Sequence, residues 1–212
     1  MTTLSRLYTQ HVTVPIMIDS TEVPVVEAAL RTLAGKPMIN SINFEDGEAR
    51  TRKILEFCRT YGAGVVALTI DERGMAKSKE EKVAVAERIL AMTREYGLPD
   101  HDVFFDCLTF TLGSGDEEFR RSAIATIEAI REIKRRYPAT NSILGVSNVS
   151  FGLKPAARMV LNSAFLHLAR EAGLDSAIVH FSKIKPETEI APEAWRIATE
   201  LILDQREFAT TA

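Results

Sequence analysis

A chain of 212 residues, 46% hydrophobic and 26% charged, is long enough to bury one sizeable core. Its net charge of -3 lacks the basic excess of a general nucleic-acid binder, and no run approaches the ~20 apolar residues that span a bilayer. Cys58 and Cys107 are too few for a disulfide scaffold and lack metal-knuckle spacing, so reduced thiols, no metal site and a cytoplasmic protein are expected.

The opening MTTLSRLYTQHVTV has no apolar core of a secretion signal. The run VTVPIMI (12–18) reads as the first strand, and 22–34 as the helix after it. PMINSI (37–42) is the second strand, followed by a helix over 47–61, and GVVALTI (64–70) is the third. The helix predicted over 79–96 carries a stripe of Val83, Ala86 and Leu90 and is ended by Gly97 and Pro99. DVFFD (102–106) is the fourth strand. Phe119, Ala123, Ile127, Ile130 and Ile133 then mark a helix over 117–137 that Pro138 stops. Lys134-Arg135-Arg136 falls at that helix's end, where cations favour the negative end of the dipole, so a solvated face is expected. ILGVS (143–147), a helix over 155–172, SAIVHF (176–181) and a helix over 192–208 complete the chain.

Most of these strands are apolar on both faces, as parallel strands covered by helices are. Strict alternation implies a parallel sheet with right-handed crossovers, either doubly wound or a barrel. An eight-unit barrel takes about 250 residues, and six units are present here. No Pro/Gly/Ser-rich linker interrupts residues 1–212, so one domain is expected.

Polar residues follow each apolar run: Asp19-Ser20, Asn40-Ser41, Asp71-Glu72, Asp106, Ser147-Asn148-Val149-Ser150, and His180 with Ser182 and Lys183. The carboxyl ends of parallel strands form the ligand face of α/β folds. Asp19-Ser20-Thr21 reads equally well as a cap for the next helix. The set as a whole suits a neutral heterocycle rich in N–H donors and carbonyls, because a carboxylate pairs with an amino group and a ring N–H while amides donate and accept. Gly113-Ser114-Gly115 lacks the P-loop pattern and reads as a loop rather than an anion cradle. The four histidines, His11, His101, His167 and His180, have no metal-ligand spacing. Lys183 would serve as a Schiff-base nucleophile in a lyase reading only with a depressed pKa.

The segments PIMIDST (15–21), INSINFEDG (39–47), VVALTIDERG (65–74), VFFDCLTF (103–110), LGVSNVSFGL (144–153), ARMVLNSAFL (157–166) and AGLDSAIVH (172–180) resemble the pterin-binding domain of cobalamin-dependent methionine synthases, in order and spacing. The resemblance runs from about Val14 to Glu207. LGVSNVSFGL followed by ARMVLNSAFL separates it from the more distant dihydropteroate synthases.

It implies an α/β fold of the (β/α)8 TIM-barrel type of the dihydropteroate synthase-like superfamily, with about six of the eight β/α units. The implied substrate is methyltetrahydrofolate, and cobalamin on a separate domain or protein takes the methyl. Position by position, Asp19, Asn40 and Asp106 look like residues that hydrogen-bond the pterin ring. Asn148 looks like the catalytic residue facing the nitrogen that bears the methyl, and Arg158 matches a basic residue near the substrate. Ser150 joins this binding set, with Ser20, Asp71, Ser147 and Lys183 in second rank.

Two strands of the family's barrel have no counterpart here, nor has its cysteine-rich zinc site or its Asp-x-His-x-x-Gly cobalt-ligating motif. Partner domains or proteins carrying cobalamin and homocysteine are therefore implied, with no nucleic acid or membrane partner. A barrel two units short exposes strand edges, which predicts poor stability alone or dimerisation through the open side. The alternatives are a non-catalytic remnant that binds pterin weakly or not at all, and a dihydropteroate synthase-like pterin enzyme.

Overall fold

The structure is a computed structural model that describes residues 1–206. In chain order its elements are α1 (Thr2–His11), β1 (Met17–Asp19), α2 (Val23–Leu30), β2 (Met38–Ile42), α3 (Ala49–Tyr61), β3 (Gly64–Leu68), β4 (Ile70–Asp71), β5 (Gly74–Met75) and α4 (Lys79–Glu95). There follow β6 (Val103–Asp106), α5 (Ser122–Arg136), β7 (Asn141–Gly145), α6 (Pro155–Glu171), β8 (Ser176–Ile178) and α7 (Pro192–Ile202). The chain forms two compact units: residues 1–76, 84–106 and 139–141 make the first, and residues 77–83, 107–138 and 142 onward the second.

In the first unit β1, β2, β3 and β6 run parallel, with Asp19 opposite Asn40, Asn40 opposite Val66, and Leu68 opposite Asp106. Ile39, Val65, Val66, Val103 and Phe105 are at most 1% exposed. That is the two-sided burial expected of an α/β sheet. At the start of β3, Gly64 leaves room for the Met38 side chain, which a Cβ there would displace.

The chain's start differs from expectation. The strand over 12–18 shrinks to β1, because Pro15 has no N–H for a ladder. Residues 2–11 instead form α1, whose side chains are exposed apart from Ser5. The third strand also stops early, at Leu68, and Ile70–Asp71 pairs antiparallel with Gly74–Met75 in a small hairpin.

In the second unit β7 and β8 pair in parallel from Ile143 opposite Ser176 to Gly145 opposite Ile178. The helix expected over 117–137 splits into a 3-10 turn (Glu117–Phe119) and α5. Its stripe is otherwise as read: Ala123, Ile127, Ile130 and Ile133 are at most 3% exposed. Burying each isoleucine contributes about 1.5–3 kcal/mol, against about 0.3–0.5 kcal/mol for a surface i,i+4 pair, so the apolar face sets the helix. The basic run ends in ion pairs, Arg135 and Arg136 to Glu132 and Lys134 to Asp175. The final helix, expected over 192–208, ends at Ile202, and residues 207–208 lie outside the described residues. No helix among the described residues is long and apolar enough to cross a membrane.

Candidate functional site

The residues singled out from the sequence fall into two groups, one in each unit. In the first unit, Asp19 ends β1 and is exposed. The capping role open to it is not the one it takes. The helix after it has Glu22 as N-cap with no side-chain cap bond, and Ser20 Oγ accepts the Glu22 N–H at 3.2 Å. Asn40 lies across the ladder from Asp19, and its backbone carbonyl accepts the Ser20 N–H at 3.2 Å. Adjacent strands thus present a carboxylate and an amide side by side. Asp106 closes β6, 5% exposed, and its backbone carbonyl accepts the Thr69 N–H at 3.1 Å.

Asp71 sits differently. It is in the β4–β5 hairpin, and its carboxylate is held by the backbone N–H and guanidinium of Arg73 at 2.7 to 3.3 Å. The hydrogen bonds from Arg73 keep its carboxyl below the usual carboxylate range. This is a turn lock, and it leaves little of the carboxylate for a ligand.

Arg50 was not singled out from the sequence, yet it organises these strand ends. From α3 its guanidinium donates to the carbonyls of Thr21 (2.9 Å), Ser41 (2.9 Å) and Ser20 (3.3 Å). It therefore ties together the segments that leave β1 and β2, directly beyond Asp19 and Asn40. Burial draws its pKa below the ordinary arginine value, though arginine stays charged in proteins. An arginine on a polar helix start reads like any solvated cation, so only the fold discloses this role.

In the second unit, β7 runs into a 3-10 turn, Val146–Ser150. Ser147 and Asn148 on this turn are exposed, whereas Ser150 is fully buried. Ser150 Oγ donates to the Ser147 carbonyl at 3.2 Å and accepts from Arg158 Nε at 3.1 Å, and Arg158 also reaches the Ser147 carbonyl at 3.4 Å. Arg158 enters on the first turn of α6, which Pro155 starts at a position where a missing N–H costs nothing. Ser150 thus orients Arg158 and holds the turn that carries Asn148.

Ser147 and Arg158 line a cleft of about 490 Å³ that also receives Asn162, His180 and Lys183. The His180 Nδ1 lies 3.1 Å from Ser182 Oγ.

Lys82 was also not singled out from the sequence. It is fully buried, and its ammonium donates to the Cys107 carbonyl at 2.6 Å and the Leu108 carbonyl at 3.4 Å. Leu108 has a φ of +52°, and its carbonyl also accepts from Thr126 Oγ1 at 2.5 Å. The segment that follows Asp106 in the chain is therefore held by a buried charge-assisted hydrogen bond.

The Gly113-Ser114-Gly115 loop packs closely against the turn after β7. A Cβ on Gly113 would fall 2.5 Å from the Phe151 carbonyl. The loop borders an apolar groove with Leu153, Leu161 and Leu201. Burial pushes the Cys58 thiol up to about 12, which keeps it protonated. Among the described residues no group of three or more His, Cys, Asp or Glu side chains could hold a metal ion.

Comparison with solved structures places the fold. The dihydropteroate synthase of Yersinia pestis superposes on 93% of this chain and 76% of its own, with a TM-score of 0.61 at 14% identity. The Xanthomonas albilineans dihydropteroate synthase in complex with 7,8-dihydropteroate covers 95% and 70%, also at 0.61 and 14%. The chain thus has the α/β, TIM-barrel type of fold of those enzymes. Residues 1–180 match the model of the pterin binding enzymes, and the chain belongs to that family.

Curated relatives are nearer in sequence. The methionine synthase of Mycobacterium leprae is 53% identical over 198 residues, 92% of this chain. That of Mycobacterium tuberculosis is 52% identical over 206 residues, 95% of this chain. The chain spans only 16% and 17% of those proteins.

Proposed function

We propose that this chain is the module of a methionine synthase that holds methyltetrahydrofolate for transfer of its methyl group. The observation that carries this reading is the identity of 52–53% to two methionine synthases over more than nine-tenths of the chain. The strand-end chemistry supports it. Asp19, Asn40 and Asp106 supply two carboxylates and an amide for the amino group, ring N–H and carbonyl of a pterin. Asn148, exposed on its turn, is assigned to the nitrogen bearing the methyl group, with Ser147 beside it.

The departing amine leaves poorly unless its nitrogen is protonated or the proton there is stabilised. A side-chain amide contributes a hydrogen bond that strengthens as charge shifts in the transition state. Reduced cobalamin, carried by a separate domain or protein, would supply the nucleophile that accepts the methyl. The chain's own contribution is binding, orientation and electrostatics. Partners carrying cobalamin and homocysteine are part of the same proposal.

Titration calorimetry of the full chain with methyltetrahydrofolate tests it. Saturable binding is expected. Asp106→Ala should weaken it, and Asn148→Ala should lower methyl transfer to added cobalamin more than it lowers affinity. No binding by a cooperatively folded sample would overturn the reading in favour of a remnant without a working pocket.

A further inference from the structure

Ion pairs such as Arg31 with Glu27, Lys53 with Glu56 and Arg196 with Glu200 stay within one helix. Arg88 does something else. From α4 its guanidinium reaches two separate connections of the first unit, 16 and 40 positions away in the chain. It grips the Glu72 carboxylate with two N–H bonds at 2.8 and 2.7 Å and donates to Glu48 Oε1 at 3.0 Å. Its Cζ also lies 4.2 Å from the ring centroid of Phe44, which is fully buried. Isolated surface pairs contribute little, but a bidentate fork shared among several groups is the exception.

Both connections leave the carboxyl ends of parallel strands, where ligands sit in α/β folds. Phe44 and Glu48 belong to the one after β2, the strand that carries Asn40, and Glu72 belongs to the β4–β5 hairpin after β3. The hairpin is stiff in itself: Arg73 locks Asp71, and the Ala76 N–H donates to the Thr69 carbonyl at 3.1 Å across its base. That base touches Asp106, whose carbonyl accepts the Thr69 N–H at 3.1 Å. The backbone joins the two connections through the Phe44 N–H, which donates to the Ile70 carbonyl at 3.0 Å. Arg88 closes the same junction through side chains.

We propose that Arg88 is a positioning residue for the first unit's ligand face, clamping the connection after Asn40 to the hairpin whose base holds Asp106. The proposal deepens the folate reading and rests on it for the identity of the ligand, while the clamp has a readout of its own. An arginine is required, because the point charge of a lysine cannot make the two parallel bonds of the fork.

The full chain is compared with Arg88→Lys and Glu72→Gln by amide hydrogen exchange and by calorimetry with methyltetrahydrofolate. In both variants the Phe44 and Thr69 amides should exchange about tenfold faster, while Val66 inside β3 keeps its rate. Methyltetrahydrofolate affinity should fall about fivefold, and the unfolding temperature should move by no more than about 2 °C. Arg88→Lys combined with Glu72→Gln should lose no more than either alone, as partners in one fork do.

Unchanged exchange at Phe44 and Thr69 would overturn the clamp. So would equal acceleration at Val66, which would mean a general loss of stability. Full affinity in Arg88→Lys despite faster exchange, or additive losses in the double variant, would overturn the positioning role. Failure of the wild-type chain to bind methyltetrahydrofolate would instead sink the folate reading, and exchange would still decide whether Arg88 clamps the two connections.

Discussion

The two units use the same strand-to-helix alternation and finish it with opposite chemistry. The first leaves Asp19, Asn40 and Asp106 on its strands, while the second leaves Asn148 on the turn after β7, Arg158 at the start of α6 and Lys183 on the turn after β8. In the first, a cation is turned inward: Arg50 is consumed by backbone carbonyls and stays behind the acids. In the second, Arg158 is propped outward by a buried serine. Whether a cation braces a loop or faces a ligand depends on which acceptors surround it, and net charge says nothing about that.

This contrast can be broken by substitution. The largest effect is expected from Asp106→Ala, which leaves ring donors of the pterin unpaired. A loss of about 2–3 kcal/mol, or about 30- to 150-fold in methyltetrahydrofolate affinity by calorimetry, is expected. An unchanged affinity would remove Asp106 from the site.

Lys82→Ala comes next, as a stability effect. It removes a buried charge-assisted donor from two carbonyls and leaves a cavity, costing about 2–4 kcal/mol. Thermal unfolding should shift down by several degrees. Lys82→Met fills the space without restoring the donor. It should recover part of that loss, while leaving folate affinity below wild type if the segment after Asp106 needs the hydrogen bonds. Full recovery of affinity would reduce Lys82 to packing.

Arg50→Leu sharpens the comparison further. Loosening the segments after Asp19 and Asn40 should weaken folate binding about fivefold to tenfold with a smaller change in unfolding temperature. Arg158→Leu should instead loosen the turn that carries Asn148 and lower methyl transfer more than methyltetrahydrofolate affinity. If both variants changed affinity and methyl transfer in the same proportion, the contrast between the two cations would be wrong.

The smallest effect is electrostatic. Arg88 holds the Glu72 carboxyl at about 2 against an ordinary 4.5, and Arg135 and Arg136 hold Glu132 at about 2 as well. A depressed folded-state pKa means the stabilisation is fully present above about 4.5 and is lost as pH falls toward 2. Neither carboxylate is buried, so the loss should be modest and should shrink in high salt. Acid titration of the melting temperature at two ionic strengths measures it.

Much of this was legible in the chain itself. The period-3.6 stripe of Ala123, Ile127, Ile130 and Ile133 located α5 because apolar burial outweighs surface pairing several-fold. The two-sided apolar runs located β2, β3 and β6, because strands covered on both faces have no polar side to show. The order of segments around LGVSNVSFGL pointed to the family of pterin binding enzymes that residues 1–180 match. Helix α1 was missed because its exposed side chains leave no burial stripe to read. Asp71 looked like a strand end, since nothing local announces that the strand stops at Leu68 and a hairpin with Arg73 takes over.

Local pattern thus determined element type, parallel-sheet class and the residues eligible for a site, because burial periodicity and turn chemistry are encoded over spans of a few residues. Tertiary structure alone decided the duties of the cations. Arg50 meets acceptors 9, 29 and 30 positions away, and Lys82 meets its carbonyls 25 and 26 positions away. A side chain's charge is written at one position, but the groups that neutralise it or leave it free are assembled only when distant segments pack together.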